Sequence, residues 1–211
     1  MLFKIVLCLI IGYYFGLFQT GYLYGKILHG IDVRNYGSGN AGTTNTIRTL
    51  GKPAGYIVFL GDALKAVFAI LLVRYVIFPG QPQTELLCLV TGLGVVLGHC
   101  FPFYMDFKGG KGIATTSGVA FIMDYRIAIV FAIVFAVIFF ASRYVSVGSL
   151  AITALFPFLL LIFFRGQLLM FAVGLVFTAI AWWRHRANIV RLMNGTENRF
   201  DRKKKNKRLH Q

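Results

Sequence analysis

The chain has 211 residues, 57% hydrophobic and only 14% charged, against about 45–50% apolar and about 25% charged in an ordinary soluble domain. With a mean hydropathy of +0.71 it carries more apolar surface than a core of its size can hide, so a soluble globular protein is excluded and the solvent is lipid. Twenty-two Lys and Arg against seven acids give a net +15. Because those bases sit between and after apolar runs, the excess reads as membrane topology rather than as nucleic-acid binding.

Cut at its polar clusters, the chain predicts an all-α polytopic membrane protein with about seven transmembrane helices, at 2–24, 54–78, 84–104, 112–123, 126–141, 148–164 and 168–183. The first run is preceded only by Lys4, has no Ala-x-Ala-like site and is followed by Lys26, which favours a span over a cleaved signal peptide. The fourth is short for a crossing that needs roughly 20 residues. An odd count puts the termini on opposite sides. With the C-terminus inside, the inner segments hold Lys26, Arg34, Arg48, Lys52, Lys108, Lys111, Arg143 and ten further bases from Arg184 to Arg208. The outer side holds only Lys4, Arg74, Arg126 and Arg165. That asymmetry predicts an outside N-terminus and a cytoplasmic C-terminus. Residues 1–198 read as one integral membrane domain. Residues 199–211 read as a basic cytoplasmic tail, either drawn to an anionic leaflet or a solvated end. Cys8, Cys88 and Cys100 have no CxxC spacing and are odd in number, so they read as structural thiols, and no metal site is expected.

Three inner segments are richer in small and polar residues than connecting loops need. In the first, Gly37-Ser38-Gly39-Asn40-Ala41-Gly42-Thr43-Thr44-Asn45 precedes Arg48. It contains GxGxxG, but no βαβ unit surrounds it, so the dinucleotide reading is weak. Its glycines allow close backbone approach to a phosphate, Ser38, Asn40, Thr43, Thr44 and Asn45 add hydrogen bonds, and Arg48 offers a bidentate grip. A tight helix-to-helix turn is the plainer alternative. In the second, Gly98-His99-Cys100-Phe101-Pro102 leads to Phe107-Lys108-Gly109-Gly110-Lys111-Gly112-Ile113-Ala114-Thr115. Gly112 follows Lys111 where a P-loop needs Ser or Thr, yet a glycine turn opening a helix, with two lysines, suits an anion. His99 is either a packing histidine or part of that site.

The third segment is His185-Arg186-Ala187-Asn188-Ile189-Val190-Arg191-Leu192, then Gly195-Thr196-Glu197. On a helix His185 and Asn188 share a face, and Glu197 orients His185 or pairs with an arginine. The alternative is an interfacial basic helix. Asp62 and Lys65, at i and i+3 inside the second span, read as a structural ion pair, although intramembrane charges are candidates for function.

Taken together, GSGN-A-G-x-T-N with Arg48, then GHxFPxFxxFKGGKG, then HRxNIxRLxxGTE resemble the three motifs of the PlsY family, the bacterial membrane glycerol-3-phosphate acyltransferases that use acyl phosphate as donor. The resemblance runs almost the whole length of the chain. It departs at Thr43, where alanine is expected, at Tyr104 in the aromatic series, and in a longer lysine-rich end. It implies transfer of a fatty acyl group from acyl phosphate to the 1-hydroxyl of sn-glycerol 3-phosphate, forming lysophosphatidic acid and phosphate in the first acylation of phospholipid biosynthesis. It implies no cofactor, and membrane lipids and a soluble supplier of acyl phosphate as partners.

By motif position, the resemblance assigns Ser38, Arg48, Lys111, His185 and Asn188 to the glycerol phosphate, with Ser38, Lys111, His185 and Asn188 as catalytic residues. The turn Gly109, Gly110, Lys111, Gly112 with Thr115 is assigned to the acyl phosphate. Asn40, Thr43, Asn45, His99, Lys108 and Glu197 complete the substrate-binding set. Either His185 or the acceptor's own phosphate takes the hydroxyl proton. The His-x4-Asp pair of thioester-using acyltransferases is absent, since Tyr104 follows His99 and Val190 follows His185 at that spacing. The implied location is the bacterial cytoplasmic membrane, with the site facing the cytoplasm. An organic-phosphate transporter is the alternative, though no internal repeat of the kind such proteins carry is evident.

Overall fold

Backbone immersed in lipid must satisfy its own polar groups, and the computed structural model, which describes residues 1–200, does so with helices and no strand. The α-helices are α1 (Leu2–Gly16), α2 (Thr20–His29), α3 (Thr43–Leu50), α4 (Lys52–Leu72), α5 (Thr84–Cys100), α6 (Ile113–Met123), α7 (Tyr125–Ser142), α8 (Val145–Phe163), α9 (Leu168–Arg184) and α10 (Arg186–Met193). Most of the expected basic tail, residues 201–211, lies outside the described residues.

All seven expected apolar runs are helical, with altered boundaries. Leu2–His29, Lys52–Ile77, Thr84–Met105, Tyr125–Ser142 and Val145–Phe163 are long and apolar enough to cross a bilayer. Joined to α10, α9 makes a sixth stretch, bent by 60°. The seventh, α6, has 11 residues, about 16 Å of helix against a hydrocarbon core of about 30 Å. Five or six full-length spans therefore stand where the sequence suggests seven, and the difference lies in α6 and the bend at His185.

The first stretch breaks between α1 and α2, and the break is chemically accounted for. Gln19 Nε2 donates to the carbonyls of Gly16 (3.1 Å), Gly98 (3.3 Å) and His99 (3.1 Å). Lys65 Nζ donates to the carbonyls of Gly16 and Phe18. Backbone oxygens released by the break thus find partners on α4 and on the Gln19 side chain, as buried acceptors require.

Small residues set how close the helices come. Gly12 and Gly16 of α1 face Gly94 and Gly98 of α5 so closely that a Cβ on Gly12 would lie 2.1 Å from the Thr91 carbonyl oxygen. One on Gly98 would lie 2.2 Å from that of Tyr13. Two small-x3-small patterns pressed together are the means by which helices associate where lipid removes the hydrophobic drive. Gly118 of α6 meets the Ala63 carbonyl of α4 in the same way. Farther along the bundle, Phe156 stacks edge-on against Phe131 and Phe177, joining α7, α8 and α9. The C-terminus of α5, held against α1 by this seam, runs directly into Phe101-Pro102 of the second segment.

Gly12→Ala should force α1 and α5 apart and cost about 1–3 kcal/mol as overpacking, seen as a fall of several degrees in the detergent thermal-unfolding midpoint. Ile10→Ala, at an outward-facing position, should leave the midpoint unchanged. Equal effects of the two would contradict the seam.

Candidate active site

The turn between Asp32 and α3 is organised from within. Buried Asn45 accepts hydrogen bonds at Oδ1 from the Ser38 amide (2.7 Å) and hydroxyl (3.2 Å). Its Nδ2 donates to the carbonyls of Val33 (2.8 Å) and Tyr36 (3.0 Å). Asn45 is therefore a bracket for the turn, with its hydrogen-bonding capacity used internally, and not the free ligand group suggested by the sequence. Gly37, at φ +60°, has to be glycine, because a Cβ there would sit 2.2 Å from Asn45 Oδ1. Asn40 Oδ1 likewise accepts from the Gly42 amide. Among the described residues the buried Thr43 hydroxyl has no partner, and Arg48 makes no ion pair or side-chain hydrogen bond.

In the second segment the expectation of free amides along the whole glycine turn is corrected. The Gly109 amide donates to the Cys100 carbonyl (3.2 Å) and that of Gly110 to the His99 carbonyl (3.0 Å). Their own carbonyls accept from Arg184, Nη2 to Gly109 at 2.8 Å and Nε to Gly110 at 3.0 Å. The two glycines form a clamped strut, and a Cβ on Gly110 would meet the His99 ring at 2.0 Å. Among the described residues the amides from Lys111 through Thr115, at the opening of α6, have no backbone partner, which is the N-terminal geometry that receives anions. Thr115 is fully buried with an unpartnered hydroxyl, and Lys108 is exposed.

Helix α9 ends at Arg184, and His185 occupies the bend into α10. His185 Nδ1 lies 2.8 Å from the Ala181 carbonyl. A carbonyl only accepts, so Nδ1 carries the proton and Nε2 is left as an acceptor. Asn188 Oδ1 receives Lys111 Nζ at 2.5 Å, and its Nδ2 donates to Glu197 Oε1 at 2.7 Å. Glu197 also accepts from the Ser146 hydroxyl (3.1 Å) and from Arg191 Nε (2.7 Å). Glu197 thus pairs with an arginine and makes no hydrogen bond to His185.

These groups surround one cavity of about 810 Å³. Its polar part is lined by Ser38, Asn40, Thr43, Asn45, Arg48, His99, Lys111, Gly112, His185, Asn188 and Glu197. Side chains of α4, α6 and α7, among them Phe59, Leu60, Phe121, Phe131, Phe135 and Phe139, make an apolar continuation. Lys108, Gly109, Gly110 and Thr115 do not line it. Burial, helped by the charges of Arg191, Arg184 and Arg48 and opposed by Glu197, lowers the Lys111 pKa to about 8. A half-desolvated guanidinium, a depressed lysine and free amides suit a phosphate, and the apolar arm suits a hydrocarbon chain.

Comparison with known proteins agrees with this geometry. A family model for glycerol-3-phosphate acyltransferase matches residues 6–195. The chain belongs to the glycerol-3-phosphate acyltransferase family. A family relative from Alkaliphilus metalliredigens is 42% identical over 94% of this chain and 97% of its own. One from Thermotoga petrophila is 41% identical over 91% and 94%. Two crystal structures of PlsY (YgiH), described as an integral membrane glycerol 3-phosphate acyltransferase, superpose with TM-scores of 0.82 and 0.79 at 37% and 36% identity. They cover 93% of this chain and 96% and 95% of theirs, one in a glycerol 3-phosphate form and the other in a lysophosphatidic acid form. The protein is an acyltransferase of this family, built as an integral membrane protein with several apolar helices.

Three contributors escape sequence reasoning. Arg184 lies one residue before the third segment's His185 and acts on backbone 74 residues away. Ser146 stands at the start of α8 with no motif around it. Arg191 is visible inside the third segment, six residues before Glu197, and that spacing is the one available hint of their pairing.

Lys111 gives the site a pH dependence of determinate sign. Its pKa is lowered to about 8 by burial, and a bound dianion favours the ammonium form, so binding above pH 8 takes up a proton. The affinity for inorganic phosphate should fall by up to about tenfold per pH unit above 8. Calorimetry at pH 9 in two buffers of different ionisation enthalpy should show proton uptake in the wild type and none in Lys111→Arg. Uptake that persists in the arginine variant would assign it elsewhere.

Proposed function

We propose that the protein transfers a fatty acyl group from acyl phosphate to the 1-hydroxyl of sn-glycerol 3-phosphate, giving 1-acyl-sn-glycerol 3-phosphate and inorganic phosphate. It does so in the bacterial cytoplasmic membrane, with seven crossings, an outside N-terminus and a site open to the cytoplasm. The observation that carries this reading is that one cavity joins a cationic, amide-rich end drawn from three separate segments to a wall of phenylalanines and aliphatic side chains. Two phosphate-bearing substrates and one acyl chain need those two surfaces in contact.

Arg48 and Lys111 hold phosphate oxygens, and Ser38 and Asn188 orient the acceptor. The amides that open α6 receive the donor's phosphate. His185, protonated at Nδ1 by its bond to Ala181, takes the hydroxyl proton at Nε2 as the glycerol oxygen bonds to the acyl carbonyl carbon. The bond from that carbon to the phosphate oxygen breaks, phosphate leaves with the electron pair, and the proton on His185 passes to it or to water. An acyl phosphate is already an activated mixed anhydride, so alignment of the alcohol supplies much of the rate, and no covalent enzyme intermediate is required. A soluble enzyme supplies the donor, and membrane lipids surround its chain.

Detergent-purified protein offered labelled sn-glycerol 3-phosphate should form lysophosphatidic acid with palmitoyl phosphate and none with palmitoyl thioester. Product from the thioester would overturn the donor assignment. No product from either donor in verified folded protein, together with movement of labelled glycerol phosphate into proteoliposomes, would make it a transporter.

A further inference from the structure

The cavity has a second histidine that the mechanism above leaves unused, and beneath it a buried charge pair. His99 is 3% exposed, Lys65 5% and Asp62 1%, and His99 and Asp62 both border the cavity. Lys65 Nζ stands 2.6 Å from the Phe18 carbonyl oxygen, 3.0 Å from Asp62 Oδ1 and 2.8 Å from His99 Nδ1. Asp62 Oδ1 accepts a further bond from the Thr20 hydroxyl at 3.1 Å and lies 3.6 Å from His99 Nδ1, beyond hydrogen-bond reach.

Counting donors and acceptors settles the protons. A buried carboxylate demands a compensating charge, and the only cation in contact with Asp62 among the described residues is Lys65. An ammonium has three N–H groups and no lone pair. The Phe18 and Gly16 carbonyls and the Asp62 carboxylate can only accept, and with four contacts for three N–H groups the longest, to Gly16 at 3.3 Å, is a shared bond. At 2.8 Å from an ammonium that has no lone pair, His99 Nδ1 must accept, and the imidazole proton is forced onto Nε2. Among the described residues that atom makes no hydrogen bond, although it is not among the sealed polar atoms, and it stands over Gly110, next in the chain to Lys111.

We infer that Asp62 and Lys65 hold His99 as the Nε2–H tautomer, making it a hydrogen-bond donor to the carbonyl oxygen of the acyl donor as negative charge builds there. Asp62 and Lys65 are positioning residues, and His99 is a catalytic residue that keeps its proton throughout. The inference rests on the acyl-transfer reading. It makes the two histidines of the cavity opposites: His185, bonded to a carbonyl through Nδ1, offers a lone pair, whereas His99, bonded to an ammonium through Nδ1, offers a proton. An acceptor for the alcohol's hydrogen and a donor for the developing oxyanion are the two polar functions that acyl transfer requires.

The test combines spectroscopy and kinetics. The sequence has four histidines, so long-range 1H–15N correlation of 15N-histidine-labelled full-length protein resolves ring tautomers, with His99→Gln and His185→Gln providing assignment. His99 is expected with unprotonated Nδ1 and protonated Nε2, and His185 with the reverse. Lys65→Met should abolish the His99 pattern and leave that of His185. With palmitoyl phosphate, His99→Phe should lower kcat about 10²–10³-fold with KM for the donor within about threefold, and His99→Gln, which restores an N–H donor, should recover part of the loss. An Nδ1–H tautomer at His99 in the wild type, which needs no variant to fold, would overturn the inference, as would wild-type kcat in His99→Phe. Either result alongside wild-type turnover leaves the functional reading standing; absence of turnover in the wild type sinks both.

Discussion

The hydrogen bond from Lys111 to Asn188 is the contact through which the site becomes one object. It joins residues 77 positions apart and does so with its direction fixed. Asn188 spends its amide hydrogens on Glu197, so its oxygen must face the lysine. Glu197 is held in turn by Ser146 from α8 and by Arg191 from α10. Burial disfavours the Glu197 carboxylate, but hydrogen bonds from Asn188 and Arg191 outweigh it and keep its pKa below the usual value. A lysine whose pKa burial lowers to about 8, facing a polar amide rather than a carboxylate, keeps its charge available to a phosphate.

The membrane fold supports this network with backbone placement rather than with a large polar core. The glycine seam between α1 and α5 sets how closely α5 lies against α1, and the last carbonyls of α5 receive the amides of Gly109 and Gly110. Arg184 grips the carbonyls of the same two glycines while ending the helix that precedes His185. Lys111 and His185 are thus positioned from a common strut. Gln19 and Lys65 satisfy the Gly16 and Phe18 carbonyls at the break in the first helix, which brings polar chemistry into the apolar layer.

What the sequence made legible was residue type and segment. The seven apolar runs are all helical, although α3 and α10 lie outside them and the first run is broken into α1 and α2, and the three polar segments meet around one cavity, as Ser38, Arg48, His99, Lys111, His185 and Asn188 demonstrate. Which hydrogen bonds are already spent was not legible. Asn45 looked like a ligand group and is a bracket; the Gly109 and Gly110 amides looked free and are tied to the end of α5. Those facts depend on partners distant in sequence, and composition carries no record of them. The Asp62–Lys65 pair follows from its i, i+3 spacing, but its hold on His99 does not, because that contact depends on how closely α4 and α5 approach.

The central claim is that Lys111 and Asn188 act as a unit in one site, and a double-mutant cycle in kcat/KM for glycerol 3-phosphate addresses it directly. Lys111→Ala and Asn188→Ala should each lose about 10²-fold or more, and the double variant should be little worse than either, since breaking the contact once removes its function. Losses that simply multiply in the double variant would show two independent groups and would contradict the account.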